Sequence, residues 1–307
     1  MDRLITLIGG SGFLGRYAVQ ELAKTRARLR VAVRDPQTAL FLKPLGDLGQ
    51  IQLIAADVRS AASMARACDG ADAVVNLVGI LDERAQKFEA VQATGAGNVA
   101  RAAAAAGATR FVQLSAIGAD PAGTGYAGSK GRGEAAVLAA FPSATILRPS
   151  VVFGPEDDFI NRFAGLAKAI PFAVPVIAPE TRFQPVYVQD VARAIVAALA
   201  LPGGGVFELG GPRTWSLREI NAYILAQTYT TKPLIDVPDA VGSLLASLQF
   251  LPFAPLTKDQ WRMLQSDNVV TGTDGLATLG IEPTPLEAIA PGYLVRYRKH
   301  GRFAAAR

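Results

Sequence analysis

The hydrophobic positions in the first half of the chain fall into short, β-branched apolar runs separated by longer segments rich in alanine and leucine. Continuous apolar runs bounded by turn residues mark strands buried on both faces, and the longer segments between them have helical spacing. This pattern predicts strands over 4–8, 29–33, 51–55, 73–77, 110–114 and 145–147, and helices over 13–24, 61–67, 83–106 and 129–140. Gly107 follows the alanine run ARAAAAAGA as a helix stop, and the alanines let that helix lie close to a sheet. Strand and helix in alternation imply an α/β fold, a doubly wound parallel sheet with helices on both faces. Past about residue 149 the texture changes to shorter elements and proline- or glycine-rich turns such as PFAVPVIAPE, LPGGG and GGP. The chain therefore reads as a body over 1–150, with 184–200 returning to it, and a smaller C-terminal substrate or interaction lobe over 151–183 and 201–307.

Composition narrows the function classes. The 307 residues are 50% hydrophobic and 19% charged, an ordinary globular balance with enough apolar mass for a full core. The formal charge of +5 comes from scattered residues except in RYRKHGR near the end, which argues against a nucleic-acid-binding body. One cysteine and one histidine exclude a disulfide framework and a His/Cys metal cluster. The first apolar run starts almost at Met1, so no signal or transit peptide is expected in this sequence, and the expectation is a cytoplasmic chain or a mature one whose presequence has already gone. No stretch reaches the roughly 20 apolar residues of a membrane span. The uncharged segment AVGSLLASLQFLPFAPLT, 240–257, is either core, an interface with a membrane or partner, or a lid. With the aromatic and cationic YLVRYRKHGRF it raises the expectation of a peripheral place on the inner face of a membrane; a solvated C-terminal helix is the plainer alternative.

The candidate chemistry begins at the first strand. LITLIGGSGFLGRYAVQEL sets Gly9, Gly12 and Gly15 at GxxGxxG spacing between a strand and a helix. Such glycines serve the turn, the approach of backbone to a pyrophosphate and the packing of helix on strand, and the helix N-terminus favours the anion. The body is thus a Rossmann domain, with Gly9, Ser11, Gly12, Phe13, Leu14 and Gly15 as the expected contacts to a nicotinamide dinucleotide. The second strand ends in VAVRDP, where an acid would bind the ribose hydroxyls of NAD(H) and an arginine the 2′-phosphate of NADP(H). Arg34 precedes Asp35, which favours NADP(H) over NAD(H), unless Arg34 is a solvated charge and Asp35 a cap. Asp57, with Val58 beside it, is placed either to meet the adenine amino group or to cap the next helix. Leu77, Val78 and Gly79 end the fourth strand where backbone can pass close to the cofactor ribose, and Ser115 ends the fifth.

In GTGYAGSKGRGEAAV, Tyr126 and Lys130 stand four apart at the start of a helix and share one face. An ammonium beside a phenol favours the phenolate, so the pair can serve as a general acid/base with Ser115 holding a substrate oxygen. Alternatively, the pair only holds the nicotinamide ribose.

The glycine loop, Ser115 with Tyr126 and Lys130, LRPSVVFGP and QPVYVQDVARAI together resemble the extended short-chain dehydrogenase/reductase superfamily. That resemblance implies a nicotinamide pocket lined by Pro149, Ser150 and Val151. A narrower resemblance covers nearly the whole chain. FPSATILRPSVVFGPEDDFINRFA, LTKDQWRMLQSDNVV and LGIEPTPLE look like the accessory subunit of respiratory complex I called alpha subcomplex subunit nine, with its bacterial relatives. This implies a bound NADPH that is structural, complex I or quinone-biosynthesis proteins as partners, and a membrane surface nearby. One departure matters: only ten residues separate Ser115 from Tyr126, shorter than in sugar-modifying members of the superfamily. A second reading therefore stays open, a free-standing NADP(H)-dependent oxidoreductase or epimerase using Tyr126 and Lys130 on a small apolar substrate.

Overall fold

The apolar runs pair into one parallel sheet in the computed structural model, which describes residues 3–247 and 258–303. Its strands are β1 (Leu4–Ile8), β2 (Arg28–Val33), β3 (Ile51–Ala55), β4 (Ala73–Asn76), β5 (Arg110–Leu114) and β6 (Thr145–Pro149), with Gly205–Leu209 as a seventh. From one edge the order is Gly205–Leu209, β6, β5, β4, β1, β2, β3. The order reverses between β1 and β4, which pair in parallel with Ile5 opposite Ala73 and Ile8 opposite Asn76. Open α/β sheets bind ligands at that reversal, beyond the carboxyl ends of the strands. Every residue of β4 is buried, whereas the edge strand β3 is only partly so, as helices on both faces of a parallel sheet require.

Four helices position the candidate residues: α1 (Phe13–Ala23), α2 (Ala61–Cys68), α3 (Gly95–Ala105) and α4 (Gly125–Ala140). The alanine run ends as its composition predicts, with the Ala108 N–H reaching back to the Ala103 carbonyl at 3.0 Å across Gly107. Its start differs from the prediction. The segment 83–87 is not helical; the Glu83 carboxylate accepts the Phe88 N–H at 2.8 Å, and a π-helical turn, Glu89–Thr94, leads into α3. The opposite shift occurs at α4, which begins at Gly125 rather than at residue 129, so that Tyr126 and Lys130 sit one turn apart on it.

By packing, the chain divides into two units, one of Met1–Pro149, Val188–Leu209 and Thr271–Glu282, the other of the remainder. Residues 201–209, read from the sequence as part of the smaller lobe, instead close the larger unit's sheet: Gly205–Leu209 pairs in parallel with β6, Val206 opposite Ile146. In the smaller unit, three short strand pairs surround a core of Phe153, Ile160, Phe183, Trp215, Ile220 and Leu286. The motif SDNVV is stitched into that unit: the Asn268 side-chain oxygen accepts the Val151 N–H at 3.0 Å, and Asp267 pairs with Arg182. The basic segment is not a solvated helix. Arg296 donates to the Pro155 carbonyl, and Arg298 donates to that of Gln227 while stacking on Tyr229 at 4.1 Å. Of the uncharged segment, 240–247 lies in the helix Asp239–Ser247, where Gly242 packs on the Trp261 ring; 248–257 lie outside the described residues. No helix among the described residues is long and apolar enough to cross a membrane.

Candidate functional site

The glycine loop is built by backbone proximity. Gly9 turns with φ +84° as its N–H donates to the Ala32 carbonyl at 2.9 Å, and a Cβ there would come within 2.8 Å of Val78. Gly15, in the first turn of α1, lies so close to the loop that a Cβ would sit 2.5 Å from the Gly10 carbonyl. Gly12 differs. It is exposed, and a Cβ there would meet nothing nearer than the Gly9 carbonyl oxygen at 3.7 Å. No side chain caps α1 at Gly12, which leaves first-turn N–H groups for an anion. Ser11 is half-buried, Leu14 is buried, and Phe13 meets Tyr17 edge-on.

At the next strand ends, Arg34 is exposed immediately past β2. The Asp35 carboxylate accepts the Gln37 N–H at 2.9 Å and caps the 3-10 helix Pro36–Leu45, so the capping alternative holds for Asp35. Asp57 caps no helix. Ser60 caps α2 by accepting the Ser63 N–H, while Asp57 accepts the Arg59 N–H at 2.9 Å and two guanidinium donors, Nε at 3.0 Å and Nη2 at 2.5 Å. These hydrogen bonds hold the Asp57 carboxyl below its ordinary range, with the charges of Arg59 and Arg34 adding to the effect. Val58 is buried, and its carbonyl accepts from Asn98 at 2.9 Å.

Beyond β4, the Leu77 N–H donates to the Ile8 carbonyl and the Val78 N–H to the Asn76 side chain. Gly79 is exposed, and a Cβ on it would lie 3.1 Å from Lys130 Nζ and 3.3 Å from Gln92 Oε1. Gln92, which the sequence analysis does not single out, lies beside Gly79 at this candidate site. It sits buried in the π-helical turn, accepts the Ile80 N–H at 3.2 Å and donates to Ser129 at 2.8 Å; Ser129 in turn donates to the Tyr126 carbonyl. One side chain thus ties the β4 loop to the first turn of α4. A polar residue on the buried stripe of a predicted helix was the available signal, and π-helical turns recur at functional sites.

Ser115 is buried, its backbone N–H donating to the Leu147 carbonyl at 2.7 Å, and its hydroxyl has no hydrogen-bond partner among the described residues. Lys130 Nζ lies 3.4 Å from the neighbouring Leu114 carbonyl and 5.8 Å from the centre of the Tyr126 ring. The Tyr126 ring also meets Phe88 edge-on at 5.9 Å. Burial pushes the Tyr126 phenol up to about 12 and the Lys130 amine down to about 8, the latter opposed by Glu134. At neutral pH the phenol therefore keeps its proton, and the amine is poised to release one. The short link from Ser115 to Tyr126 lies against α4 where glycines admit it: a Cβ on Gly131 would come 2.2 Å from Pro121 N. Pro149 ends β6 with its carbonyl accepting the Ile117 N–H, whereas Val151 belongs to the smaller unit.

Residues 5–210 match the NAD dependent epimerase/dehydratase family. The chain is 35% identical over 303 residues to NADH dehydrogenase (ubiquinone) 1 alpha subcomplex subunit 9 of Mus musculus, covering 96% of this chain and 80% of that protein. It is 34% identical over 219 residues to a ceramide reductase of Caulobacter vibrioides, 69% of this chain and 67% of that one. Among solved structures, the NADPH-dependent quinone oxidoreductase of Escherichia coli in complex with NADPH shares the fold, with a TM-score of 0.75 at 21% identity over 94% of this chain and 99% of that chain.

Proposed function

Because this chain belongs to the NAD dependent epimerase/dehydratase family and, within it, to the family of complex I alpha subcomplex subunit 9, we propose that its larger unit holds NADP(H) in preference to NAD(H). The observation that carries the reading is the glycine loop at the β1–β4 reversal: tightly packed at Gly9 and Gly15, open at Gly12, and followed by an uncapped helix end. Gly9, Ser11 and Gly12 to Gly15 would meet the pyrophosphate, Asp57 and Val58 the adenine, and Leu77 to Gly79 with Tyr126 and Lys130 the nicotinamide ribose. The bound cofactor would supply or accept a hydride. The engagement of Asp35 with Gln37 supports the preference for NADP(H), since the one acid that would read the ribose hydroxyls is already a cap, whereas Arg34 stands exposed beside it. Arg34→Ala is expected to weaken NADPH by about 10- to 100-fold, the worth of one charge-assisted contact, and to leave NADH nearly unchanged. Fluorescence titration with both nucleotides checks this, and an equal loss for the two would refute the phosphate-reading role.

The relationship to the complex I subunit further supports a place at a respiratory or quinone-related membrane assembly. Purification from the cell's own membranes in mild detergent tests this: respiratory subunits should accompany the chain, and a chain that leaves the membrane fraction alone would count against it.

A second reading rests on the buried, unpartnered Ser115 hydroxyl and on the ceramide reductase relative: NADPH-dependent reduction of a carbonyl group on an apolar substrate. Ser115 would donate a hydrogen bond to the carbonyl oxygen, the protonated Tyr126 would give that oxygen its proton, and Lys130 would restore the proton to the phenol. Tyr126→Phe is then expected to bind NADPH normally and to lose about 10²- to 10⁴-fold in turnover. If the wild-type chain oxidises no NADPH with long-chain ketones, aldehydes or quinones, the catalytic reading falls and the binding reading stands.

A further inference from the structure

We infer that Arg59 is a second ligand for the 2′-phosphate of the nucleotide, set beside Arg34 by the pairing of β2 with β3 and oriented by Asp57. The inference rests on the NADP(H) reading above and deepens it. The register pairs Val33 with Ala55, and the Ala56 N–H donates to the Val33 carbonyl at 2.8 Å, so that Arg34 and the turn 56–59 leave adjacent strand ends side by side. Dinucleotide folds seat the adenosine ribose at that edge.

The charges at this edge do not suit a phosphate if Arg34 acts alone. A phosphate monoester carries about −1.5 to −2 near neutral pH. Two carboxylates, Asp35 and Asp57, already stand within two residues of the strand ends. One guanidinium would leave such an anion facing net negative charge; Arg59 supplies the second. Its geometry also fits. Asp57 engages the guanidinium through Nε and Nη2, which leaves the Nη1 donors and one on Nη2 unused by that pair. The side chain is 47% exposed, so those donors are accessible to a ligand. An isolated surface ion pair adds little to stability, yet one that fixes the plane of an arginine fork prepares it for a bidentate phosphate contact.

The test uses the full chain and four probes: NADPH, NADH, and the fragments adenosine 2′,5′-bisphosphate and adenosine 5′-monophosphate (AMP), which differ only in the 2′-phosphate. Arg59→Ala is expected to weaken NADPH and the bisphosphate about tenfold, the effect of losing one charged contact, while NADH and AMP stay within about twofold. Arg59→Lys should recover part of the loss, because it restores the charge without the fork. The double variant with Arg34→Ala should bind NADPH and NADH alike. Equal weakening of all four probes would mean that Arg59 acts only through Asp57 and the adenine, and would overturn the inference, as would no change for any. A wild-type chain that does not prefer NADPH to NADH, or binds neither, would instead overturn the NADP(H) reading itself.

Discussion

Gly15→Ala is expected to cost the larger unit about 3 kcal/mol of stability, whereas Gly12→Ala should leave stability nearly unchanged and remove nucleotide binding. The two glycines belong to one motif and differ in what surrounds them. A methyl on Gly15 would overlap the Gly10 carbonyl carbon and oxygen at 2.5 Å, and neither the helix nor the loop can yield without separating α1 from β1. Overpacking against backbone of this kind costs about 1–3 kcal/mol and occasionally more. A methyl on Gly12 meets only an oxygen at 3.7 Å, an ordinary contact, and Gly12 has φ −72° and ψ −179°, which alanine adopts without strain. That methyl would instead occupy the space at the uncapped end of α1 that a pyrophosphate must enter. Because close backbone approach is the whole basis of the contact, the expected loss of NADPH affinity is on the order of 100-fold or more. Urea unfolding and NADPH titration of both variants separate the effects. A stable Gly12→Ala chain that binds NADPH normally would show that the loop serves folding alone.

Lys130→Met is expected to stabilise the chain and to damage the site. Burial lowers the amine from 10.5 to about 8, so at pH 7 the folded protein carries a charge in a place that disfavours it. The shift corresponds to a folding penalty of about 3 kcal/mol, partly offset by the hydrogen bond to the Leu114 carbonyl. The sign follows from proton counting. Between pH 8 and 10.5 the unfolded chain binds more protons at this lysine than the folded one, so wild-type stability gains with rising pH across that window and loses the gain as pH falls through 8. Methionine removes both the penalty and the pH dependence. Its unfolding free energy at pH 7 should exceed the wild type's by about 1–3 kcal/mol, and the difference should shrink towards pH 10.5. NADPH affinity should fall together with any turnover. Urea unfolding of both chains from pH 7 to 10.5 checks the first part; a variant less stable at every pH would mean that the lysine is a structural strut.

The features most legible in the sequence were those carried by local pattern. Six sheet strands could be read because strands buried on both faces must be continuously apolar, and the glycine loop because its spacing is tied to a strand and a helix on either side. Gly205–Leu209 was not read as a sheet strand: as an edge strand it is half exposed, and it follows the LPGGG turn. Contacts between distant residues were likewise hidden. Gln92 and Ser129 lie 37 positions apart, and the hydrogen bond between them joins the π-helical turn to α4. The helix expected over 83–106 begins later than its composition suggests because Glu83, a good helix former, spends its side chain on the Phe88 N–H. For Asp57 the sequence leaves an adenine contact and a helix cap open; Ser60 is the cap, and the neighbour that engages Asp57, Arg59, follows it in a turn whose geometry the sequence does not display.

The most direct test of the central claim is a titration of the nucleotide-stripped full chain with NADPH and, separately, NADH, followed by nicotinamide fluorescence. One NADPH should bind per chain, at least about tenfold more tightly than NADH, as expected for a phosphate held by charged contacts. A chain that binds neither nucleotide would contradict the account.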